Sequence, residues 1–308
     1  MSDLSVNICG INFSNPLIAA SGTFGYGNEY TPLFDTNCFG GICSKGLTLD
    51  PKPGNNGTRL FECASGLINS IGLENPGIRH FIQNELPQMS KLKPVSIANL
   101  SGSSLETYTK GAELLENSCV QMIELNISCP NVKAGGMAFG LDCKTAAEVT
   151  SAVRAKTSKP LIVKLSPNAS DITKIALSVK DAGADAVSMI NTIQALAINI
   201  ETGKPVFENI FAGFSGPAVK PIALRMVYQT AKAFMQLSEN ERIPIIGLGG
   251  IANWQDAVEF IMAGAKAVQI GTATFSNPLC AVEILDGLKN FMQRKGYKNI
   301  EAFCGMAL

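Results

Sequence analysis

A short stretch of the chain joins a buried strand to a group of polar and reactive side chains. The apolar run of residues 122–125 is followed within six positions by Asn126, Ser128, Cys129 and Asn131. Pro130 prevents a regular continuation of the strand. In barrels and doubly wound sheets, catalytic and ligand-binding residues lie at such carboxyl ends of buried strands. Taken alone, Cys129 could equally be a buried structural thiol before an ordinary turn, so the other strand ends decide between the two interpretations.

Two lysines and several amide side chains also follow apolar runs. Lys45 and Lys164 each lie at the end of such a run, and a lysine buried at a strand end usually has an anionic partner. A surface position is the ordinary alternative for any single lysine. Amide side chains, which both donate and accept hydrogen bonds, are available at Asn69, Asn99, Asn126 and Asn191.

Glycines follow the last two apolar runs, where they let backbone amides approach an anion. Gly249 and Gly250 come after the seventh run, and Gly271 precedes Thr272 after the eighth. These are the two places where barrel enzymes commonly bind a phosphate group. Gly216, in a Ser-Gly-Pro sequence, could add a third backbone contact. Either pair alone would indicate only a tight turn, but both pairs together predict a phosphate site.

A phosphate site combined with lysines and amides suits flavin mononucleotide (FMN) and a planar, amide-rich substrate. Cys129 then becomes a candidate general base, because a neighbouring lysine can favour its thiolate at neutral pH. We therefore predict Cys129 and Lys45 as the catalytic residues. The single histidine, His80, lies in a predicted surface helix. This disfavours a Cys-His protease and a histidine-rich metal site, so no metal site is expected.

Eight apolar runs without polar alternation carry these groups, as expected for strands buried on both faces. They cover residues 17–20, 41–43, 95–98, 122–125, 161–163, 186–190, 243–247 and 267–270. Helical patterns separate most of the runs, at residues 145–156, 172–182, 221–236 and 254–263. Asp171 and Asn253 lie at N-cap positions, and Gly183 and Gly264 lie just past helix ends.

Eight strand-then-helix units predict an α/β fold, a (β/α)8 TIM barrel in one domain that spans residues 1–308. A doubly wound sheet is the alternative, but no Gly-x-Gly-x-x-Gly sequence follows the first strand. Residues 6–8 and 11–13 predict a short N-terminal hairpin. Two insertions, residues 48–77 and 197–216, follow strands at their carboxyl ends, and the second has the pattern of a hairpin.

The composition of the chain argues against several classes of protein. Lysine plus arginine equals aspartate plus glutamate, 25 each, so no basic surface indicates nucleic acid or an anionic membrane as a partner. Charged residues make up 16%, below the usual ~25%, which predicts a large core and leaves room for an extensive subunit interface. The nine cysteines are scattered singly, which disfavours disulfides and a metal cluster. Without a leader or a membrane-length apolar run, a cytoplasmic location is expected.

Sequence motifs along most of the chain resemble those of dihydroorotate dehydrogenases. They are Ala-Ala-Ser-Gly-Thr-Phe-Gly from residue 19, Asn-Ser-Ile-Gly-Leu-Glu-Asn-Pro-Gly from residue 69, Asn-Ile-Ser-Cys-Pro-Asn-Val from residue 126 and Val-Lys-Leu-Ser-Pro-Asn from residue 163. Ser-Gly-Pro-Ala-Val-Lys-Pro from residue 215 resembles the NAD-linked class 1B catalytic subunit in particular. The membrane enzymes of class 2 use serine where this chain has Cys129.

The resemblance implies oxidation of (S)-dihydroorotate to orotate on FMN, in the biosynthesis of pyrimidines such as UMP. Cys129 would take the proton from C5 while hydride leaves C6 for the flavin. By the same resemblance, FMN would be held by Ser21, Lys45, Gly46, Asn99, Asn126, Lys164, Ile190, Gly216, Gly249, Gly250, Gly271 and Thr272. The substrate would be held by Lys45, Asn69, Ser70, Ile71, Gly72, Leu73, Asn126, Asn191 and Thr192.

The class 1B resemblance also implies a partner subunit that carries FAD and a [2Fe-2S] cluster and passes electrons to NAD. Two copies of this chain would form a homodimer core within a two-plus-two heterotetramer. Residues 133–140 are expected to form a mobile lid beside Cys129. Three alternatives stay open: a fumarate-reducing class 1A enzyme, another FMN barrel that acts on a dihydropyrimidine, and a non-catalytic barrel that binds a phosphorylated ligand.

Overall fold

Eight short parallel strands close into a barrel in the computed structural model, which describes residues 2–128 and 139–308. The strands of these ranges are β1 (Val6–Ile8), β2 (Ile11–Phe13), β3 (Leu17–Ala19), β4 (Gly41–Cys43), β5 (Leu60–Cys63), β6 (Gly66–Asn69), β7 (Val95–Leu100), β8 (Met122–Asn126), β9 (Leu161–Lys164), β10 (Ala186–Met189), β11 (Ile193–Leu196), β12 (Ile198–Asn199), β13 (Lys204–Pro205), β14 (Phe211–Ser215), β15 (Ile245–Leu248) and β16 (Ala265–Ile270). The barrel runs β3-β4-β7-β8-β9-β10-β15-β16, and β16 pairs with β3 to close it. The predicted (β/α)8 fold is therefore confirmed.

All eight predicted barrel strands are present, with bounds that differ from the predicted ones by at most two residues. Every residue of β7 and β8 is buried, as the lack of polar alternation predicts. Strands β7, β8 and β9 extend through Asn99, Asn126 and Lys164, because these polar side chains find hydrogen-bond partners inside the barrel. The polar strand ends are thus part of the barrel itself.

Helices pack around the outside of the barrel. They are α1 (Ile78–His80), α2 (Leu86–Met89), α3 (Leu105–Glu116), α4 (Cys143–Arg154), α5 (Ile172–Asp181), α6 (Lys220–Phe234), α7 (Trp254–Met262), α8 (Ala273–Ser276) and α9 (Cys280–Lys295). The side chains of Asp171 and Asn253 accept backbone N–H groups at the starts of α5 and α7, as predicted. Gly183 and Gly264, just past helix ends, have φ angles of 102° and 105°. None of the described helices has the length and apolar character needed to cross a membrane.

The N-terminal hairpin packs against the amino end of the barrel. β1 and β2 pair antiparallel, as predicted, and the side chains of Ile8 and Phe13 are fully buried. A Cβ atom on Gly41, the first residue of β4, would lie 2.7 Å from the Phe13 ring. This tight apolar contact lies at the end of the barrel opposite the polar strand ends.

The two insertions combine into one antiparallel sheet of order β11-β14-β6-β5, called the insertion sheet below. Its central pairing joins Gly213 of β14 to Asn69 of β6. β12 and β13 form the hairpin predicted for the second insertion, whereas the pairing of β14 with β6 of the first insertion was not predicted. A small separate apolar cluster supports the sheet and consists of Ile68, Ala197, Phe207 and Ala212.

Candidate active site

A cavity of about 550 Å³ lies at the carboxyl ends of the barrel strands and is bordered by the insertion sheet. Cavities of this size commonly hold small ligands and cofactors. All predicted cofactor and substrate residues line it: Ser21, Lys45, Gly46, Asn69, Ser70, Ile71, Gly72, Leu73, Asn99, Asn126, Lys164, Ile190, Asn191, Thr192, Gly216, Gly249, Gly250, Gly271 and Thr272. The structure thus brings these residues together, and their contacts with a ligand stay predictions.

The predicted base, Cys129, and residues 133–138 of the predicted lid lie outside the described residues. Ser128, directly before Cys129 in the chain, is described, buried and part of the cavity wall. His80 does not line the cavity. Its side chain is half exposed, with Nε2 3.6 Å from Glu85 Oε1. The histidine therefore lies on the surface, as predicted.

Glycines after β15 and β16 form a cradle of backbone amides in the cavity wall. Within the described part of the chain, no acceptor receives a hydrogen bond from the N–H groups of Gly249, Gly250, Gly271 and Thr272. Gly250 has a φ angle of 77°. A Cβ atom there would lie 2.6 Å from the backbone nitrogen of Lys220 and 2.9 Å from the carbonyl oxygen of Gly216. Only glycine fits where these three segments meet, and backbone amides without an acceptor in the described part of the chain are donors suited to an anion.

The carboxylate of Asp256 fixes the loop that carries Gly249 and Gly250. It accepts hydrogen bonds from the N–H groups of Ala252 and Asn253, at 2.9 and 3.2 Å. The Nζ atom of Lys220 donates to the same carboxylate at 2.7 Å. Asp256 thereby holds Ala252 and Asn253, the two residues that precede α7, next to the glycines of the cradle.

Lys164, at the end of β9, is a deeply buried cation in the cavity wall. The residue is only 4% exposed, and its Nζ lies 3.2 Å from Ser21 Oγ and 3.4 Å from Glu124 Oε1. A buried ammonium needs an anionic partner, which the sequence analysis predicted without naming it. Glu124 is that partner.

Glu124, in the middle of β8, is a fully buried carboxylate that the sequence analysis did not single out. Its oxygens accept hydrogen bonds from five side chains on five other strands, those of Cys43 (3.3 Å), Asn99 (2.7 Å), Lys164 (3.4 Å), Ser188 (2.9 Å) and Gln269 (2.6 Å). Burial alone raises the pKa of Glu124, but the Lys164 ammonium and the hydrogen bonds outweigh burial and leave the pKa lowered. The five donors around Glu124 suit its ionised form, which can only accept hydrogen bonds. Its one sequence signal was a charge inside an otherwise apolar strand.

Asn126, Ser128 and Asn191 form a hydrogen-bonded cluster on the cavity wall. Ser128 Oγ donates to Asn126 Oδ1 at 2.7 Å, and Asn191 Nδ2 donates to Ser128 Oγ. Asn126 Nδ2 donates to Asn99 Oδ1 at 3.3 Å, which connects the cluster to Glu124. The Tyr108 hydroxyl donates to the backbone carbonyl of Asn126 at 2.8 Å. These bonds fix the chain directly before Cys129.

The segment of residues 69–73 borders the cavity in an unusual conformation. Asn69 Nδ2 donates to the carbonyl oxygen of Gly213 at 3.1 Å, which ties the segment to the insertion sheet. Gly72 and Leu73 have φ angles of 75° and 56°. Positive φ is uncommon for leucine and persists where the surroundings impose it, often at ligand-binding loops.

Lys45, directly after β4 and Ser44, supplies a second cation to the cavity wall. Its side chain is partly buried, and within residues 2–128 and 139–308 its Nζ forms no hydrogen bond or ion pair. A partly buried ammonium without a counter-charge in those two ranges favours an anionic ligand such as a carboxylate.

These groups fit FMN and a small planar anion. The glycine amides suit a phosphate, Lys164 suits a ring that gains negative charge on reduction, and the asparagine side chains suit polar ring edges. Lys45 adds a cation for a second anionic group. The fold and the cavity are those of a (β/α)8-barrel enzyme, and the groups in the cavity suit a phosphate-bearing cofactor.

The family model for dihydroorotate dehydrogenase matches residues 3–292. The chain therefore belongs to the dihydroorotate dehydrogenase family, as the motifs predicted. Enzymes of this family are oxidoreductases that carry flavin, which agrees with the groups in the cavity.

The chain is also similar to curated proteins along nearly its whole length. It is 51% identical to the dihydroorotate dehydrogenase B (NAD(+)) catalytic subunit of Caldicellulosiruptor bescii over 303 residues, 98% of each chain. The subunit of the same name from Petrotoga mobilis is 50% identical over 306 residues, 99% of this chain and 100% of that one. The one from Bacteroides thetaiotaomicron is 49% identical, with 99% of each chain covered. The matches therefore include both the barrel and the insertion sheet.

Proposed function

We propose that this chain is the catalytic subunit of an NAD-linked dihydroorotate dehydrogenase, which oxidises (S)-dihydroorotate to orotate in pyrimidine biosynthesis. The observation that carries the proposal is one cavity that combines a cradle of glycine amides, the cations of Lys45 and Lys164, and a set of asparagine side chains. Membership of the family supports it, as do the names of the relatives, which are called NAD(+) catalytic subunits.

FMN bound in the cavity would accept the hydride that leaves C6 of the substrate. The glycine amides would hold its phosphate, and the Lys164 ammonium would stabilise the negative charge that develops on the ring. Ser21 helps to position that ammonium, through a contact of 3.2 Å. The proposed cofactor residues are Ser21, Lys45, Gly46, Asn99, Asn126, Lys164, Ile190, Gly216, Gly249, Gly250, Gly271 and Thr272.

Lys45 is proposed to bind the carboxylate of dihydroorotate, because it is the cavity cation without a counter-charge in the described part of the chain. The asparagine side chains would pair with the N–H and C=O groups of the substrate ring, since each amide offers both a donor and an acceptor. The proposed substrate residues are Lys45, Asn69, Ser70, Ile71, Gly72, Leu73, Asn126, Asn191 and Thr192.

Cys129 is proposed as the general base. Its thiolate would take the proton from C5 as hydride leaves C6, so that a double bond forms between these two carbons. A thiolate at neutral pH needs a nearby cation, which Lys45 would supply. The hydrogen bonds of Ser128 to Asn126 and Asn191 support this role, because they fix the residue that precedes Cys129.

Electrons are proposed to reach NAD through a partner subunit that carries FAD and a [2Fe-2S] cluster. This chain would form the homodimer core of a two-plus-two heterotetramer in the cytoplasm. The term "catalytic subunit" in the names of the relatives supports a separate partner. The described cysteines, all of them free thiols, suit a reducing compartment.

The test compares electron acceptors with the purified chain, alone and with a candidate partner subunit. The chain alone is expected to bind FMN and to oxidise dihydroorotate with an artificial dye, but to reduce NAD poorly. The partner should restore NAD reduction without changing the rate at which dihydroorotate reduces FMN. Efficient NAD reduction by the chain alone would refute the two-subunit proposal, and rapid fumarate reduction by it would favour class 1A. A chain that cannot take up FMN would favour the non-catalytic barrel.

A further inference from the structure

Glu124 lies behind the cavity wall and contacts residues that form it. The carboxylate does not itself line the cavity, whereas three of its partners do, namely Asn99, Lys164 and Gln269. Its other two partners, Cys43 and Ser188, also lie behind the wall. One carboxylate thus joins side chains from β4, β7, β9, β10 and β16 to its own strand, β8.

All five partners donate to Glu124, which an ionised carboxylate requires because it can only accept. The Asn99 amide must therefore direct its NH2 group to Glu124, at 2.7 Å, and its oxygen to the other side. That oxygen accepts a hydrogen bond from Asn126 Nδ2 at 3.3 Å. The negative charge at Glu124 consequently determines which atoms of Asn99 are presented to the cavity.

Glu124 also provides the counter-charge of Lys164. The two side chains are nearly inaccessible to solvent, at 0% and 5%, and Nζ lies 3.4 Å from Oε1. Charges in such a buried site are screened far less than charges at the surface. A ligand bound against Lys164 therefore experiences a cation whose charge Glu124 partly offsets.

We propose that Glu124 is a positioning residue for the flavin site, which holds Lys164 and Asn99 in place and lowers the reduction potential of bound FMN by offsetting the Lys164 charge. The proposal rests on the proposed function, because it presupposes FMN in the cavity. Glu124 would act through its partners, without touching cofactor or substrate.

The test measures the midpoint potential of bound FMN in the wild-type protein and in Glu124→Gln, by anaerobic titration with a reference dye. Glutamine keeps the size of the side chain and removes its negative charge. The uncompensated Lys164 ammonium should then stabilise the reduced, negatively charged flavin. We expect at least a tenfold shift toward reduced FMN, which corresponds to a rise of about 30 mV for a two-electron couple.

Ser188→Ala is the matched control. It removes one donor to the same carboxylate, at 2.9 Å, and leaves the charge unchanged. The equilibrium constant for FMN reduction in Ser188→Ala is expected to stay within about threefold of the wild-type value. The unfolding midpoint of this variant should fall, because Glu124 loses a hydrogen-bond donor. A purely structural role for Glu124 predicts that both variants lose stability and that neither shifts the potential. That result would overturn the proposal.

A second pair of variants tests whether Glu124 acts through Lys164. Lys164→Met leaves Glu124 buried without its cation, whereas the double variant Lys164→Met with Glu124→Gln leaves no unpaired charge, so it can fold even where Glu124→Gln does not. If Glu124 acts by offsetting the Lys164 charge, its replacement should have little effect once Lys164 is gone, and the equilibrium constant for FMN reduction in the double variant is expected to stay within about threefold of that in Lys164→Met. A difference of tenfold or more between these two variants would show that Glu124 acts on the flavin without Lys164 and would overturn the proposal.

Failure of the Glu124 proposal can be distinguished from failure of the proposed function. A wild-type chain that takes up no FMN would refute the proposed function and the Glu124 proposal together. A wild-type chain that binds FMN and oxidises dihydroorotate, but whose potential does not respond to the charge at position 124, would refute only the second.

Discussion

Replacement of Gly250 by alanine tests whether the glycine amides bind the cofactor phosphate. The new Cβ atom would lie 2.6 Å from the backbone nitrogen of Lys220 and 2.9 Å from the carbonyl oxygen of Gly216. Neither backbone atom can rotate away as the end of a side chain could. The loop must therefore move, and its amides must move away from the predicted phosphate position.

The size of the effect follows from the backbone conformation. Gly250 has a φ angle of 77°, and the left-handed region is unfavourable for alanine by roughly 1–2 kcal/mol. FMN binding would have to restore this strained conformation together with the close contacts. Since about 1.4 kcal/mol corresponds to a factor of ten in an equilibrium constant, the Kd for FMN should rise at least about tenfold. Titration of the apoprotein, followed by flavin fluorescence, measures this change.

Gly203→Ala is the control for backbone strain alone. Gly203 has a φ angle of 66°, and a Cβ atom there would meet nothing within 4 Å. It lies between β12 and β13 and does not line the cavity. This variant should lose stability of order 1 kcal/mol and keep the wild-type Kd for FMN. A folded Gly250→Ala protein with a Kd within twofold of wild type would refute the cradle as the phosphate site.

Three further predictions concern the base, the substrate cation and acid stability. Cys129→Ala should keep FMN but slow its reduction by dihydroorotate roughly 100-fold or more, whereas Cys129→Ser should retain some activity, shifted to higher pH. Rapid-mixing absorbance measures the rate of flavin reduction in both variants. A near wild-type rate for Cys129→Ala from pH 6 to 9 would exclude the thiol as base. Lys45→Met should lower kcat/KM for dihydroorotate by about 10- to 100-fold, because the substrate carboxylate loses a charge-assisted hydrogen bond. Steady-state kinetics with a dye as electron acceptor measures this change. An unchanged kcat/KM would show that Lys45 has no such role. Hydrogen bonds from Ser158 and Thr157 lower the pKa of Glu116 to about 2 in the folded protein. The stabilisation from these bonds is therefore complete above the pKa that Glu116 has in the unfolded chain, and it is lost as pH falls from about 4.5 toward 2. Glu116→Gln should flatten the pH dependence of the unfolding midpoint over that interval, and an unaltered slope would show that this carboxylate does not contribute.

The barrel could be predicted because its strands are buried on both faces. Runs such as β10 and β15 contain almost no polar residue before their ends, so each stands out in the sequence without knowledge of its partner. The polar groups of the cavity follow these runs directly, as Lys164 follows residues 161–163. Parallel strands of a closed barrel end at one face, which brings these groups together.

The insertion sheet could not be predicted in the same way. Its central pairing joins Asn69 to Gly213, and no local pattern states which distant segment a strand will pair with. Glu124 could not be predicted for a different reason. A single carboxylate within residues 122–125 does not interrupt an apolar run, and its importance depends on five partners from other strands. Cys129 was predicted as the base from its residue type and position, and it lies outside the described residues.

Anaerobic reduction of the bound flavin tests the central claim most directly. The chain, loaded with FMN and free of any electron acceptor, is mixed with (S)-dihydroorotate while flavin absorbance and orotate are followed. We predict that the oxidised flavin band disappears and that one orotate forms per flavin reduced. A flavin that stays oxidised with excess dihydroorotate, yet is reduced by dithionite in the same preparation, would contradict the assignment of dihydroorotate as the substrate.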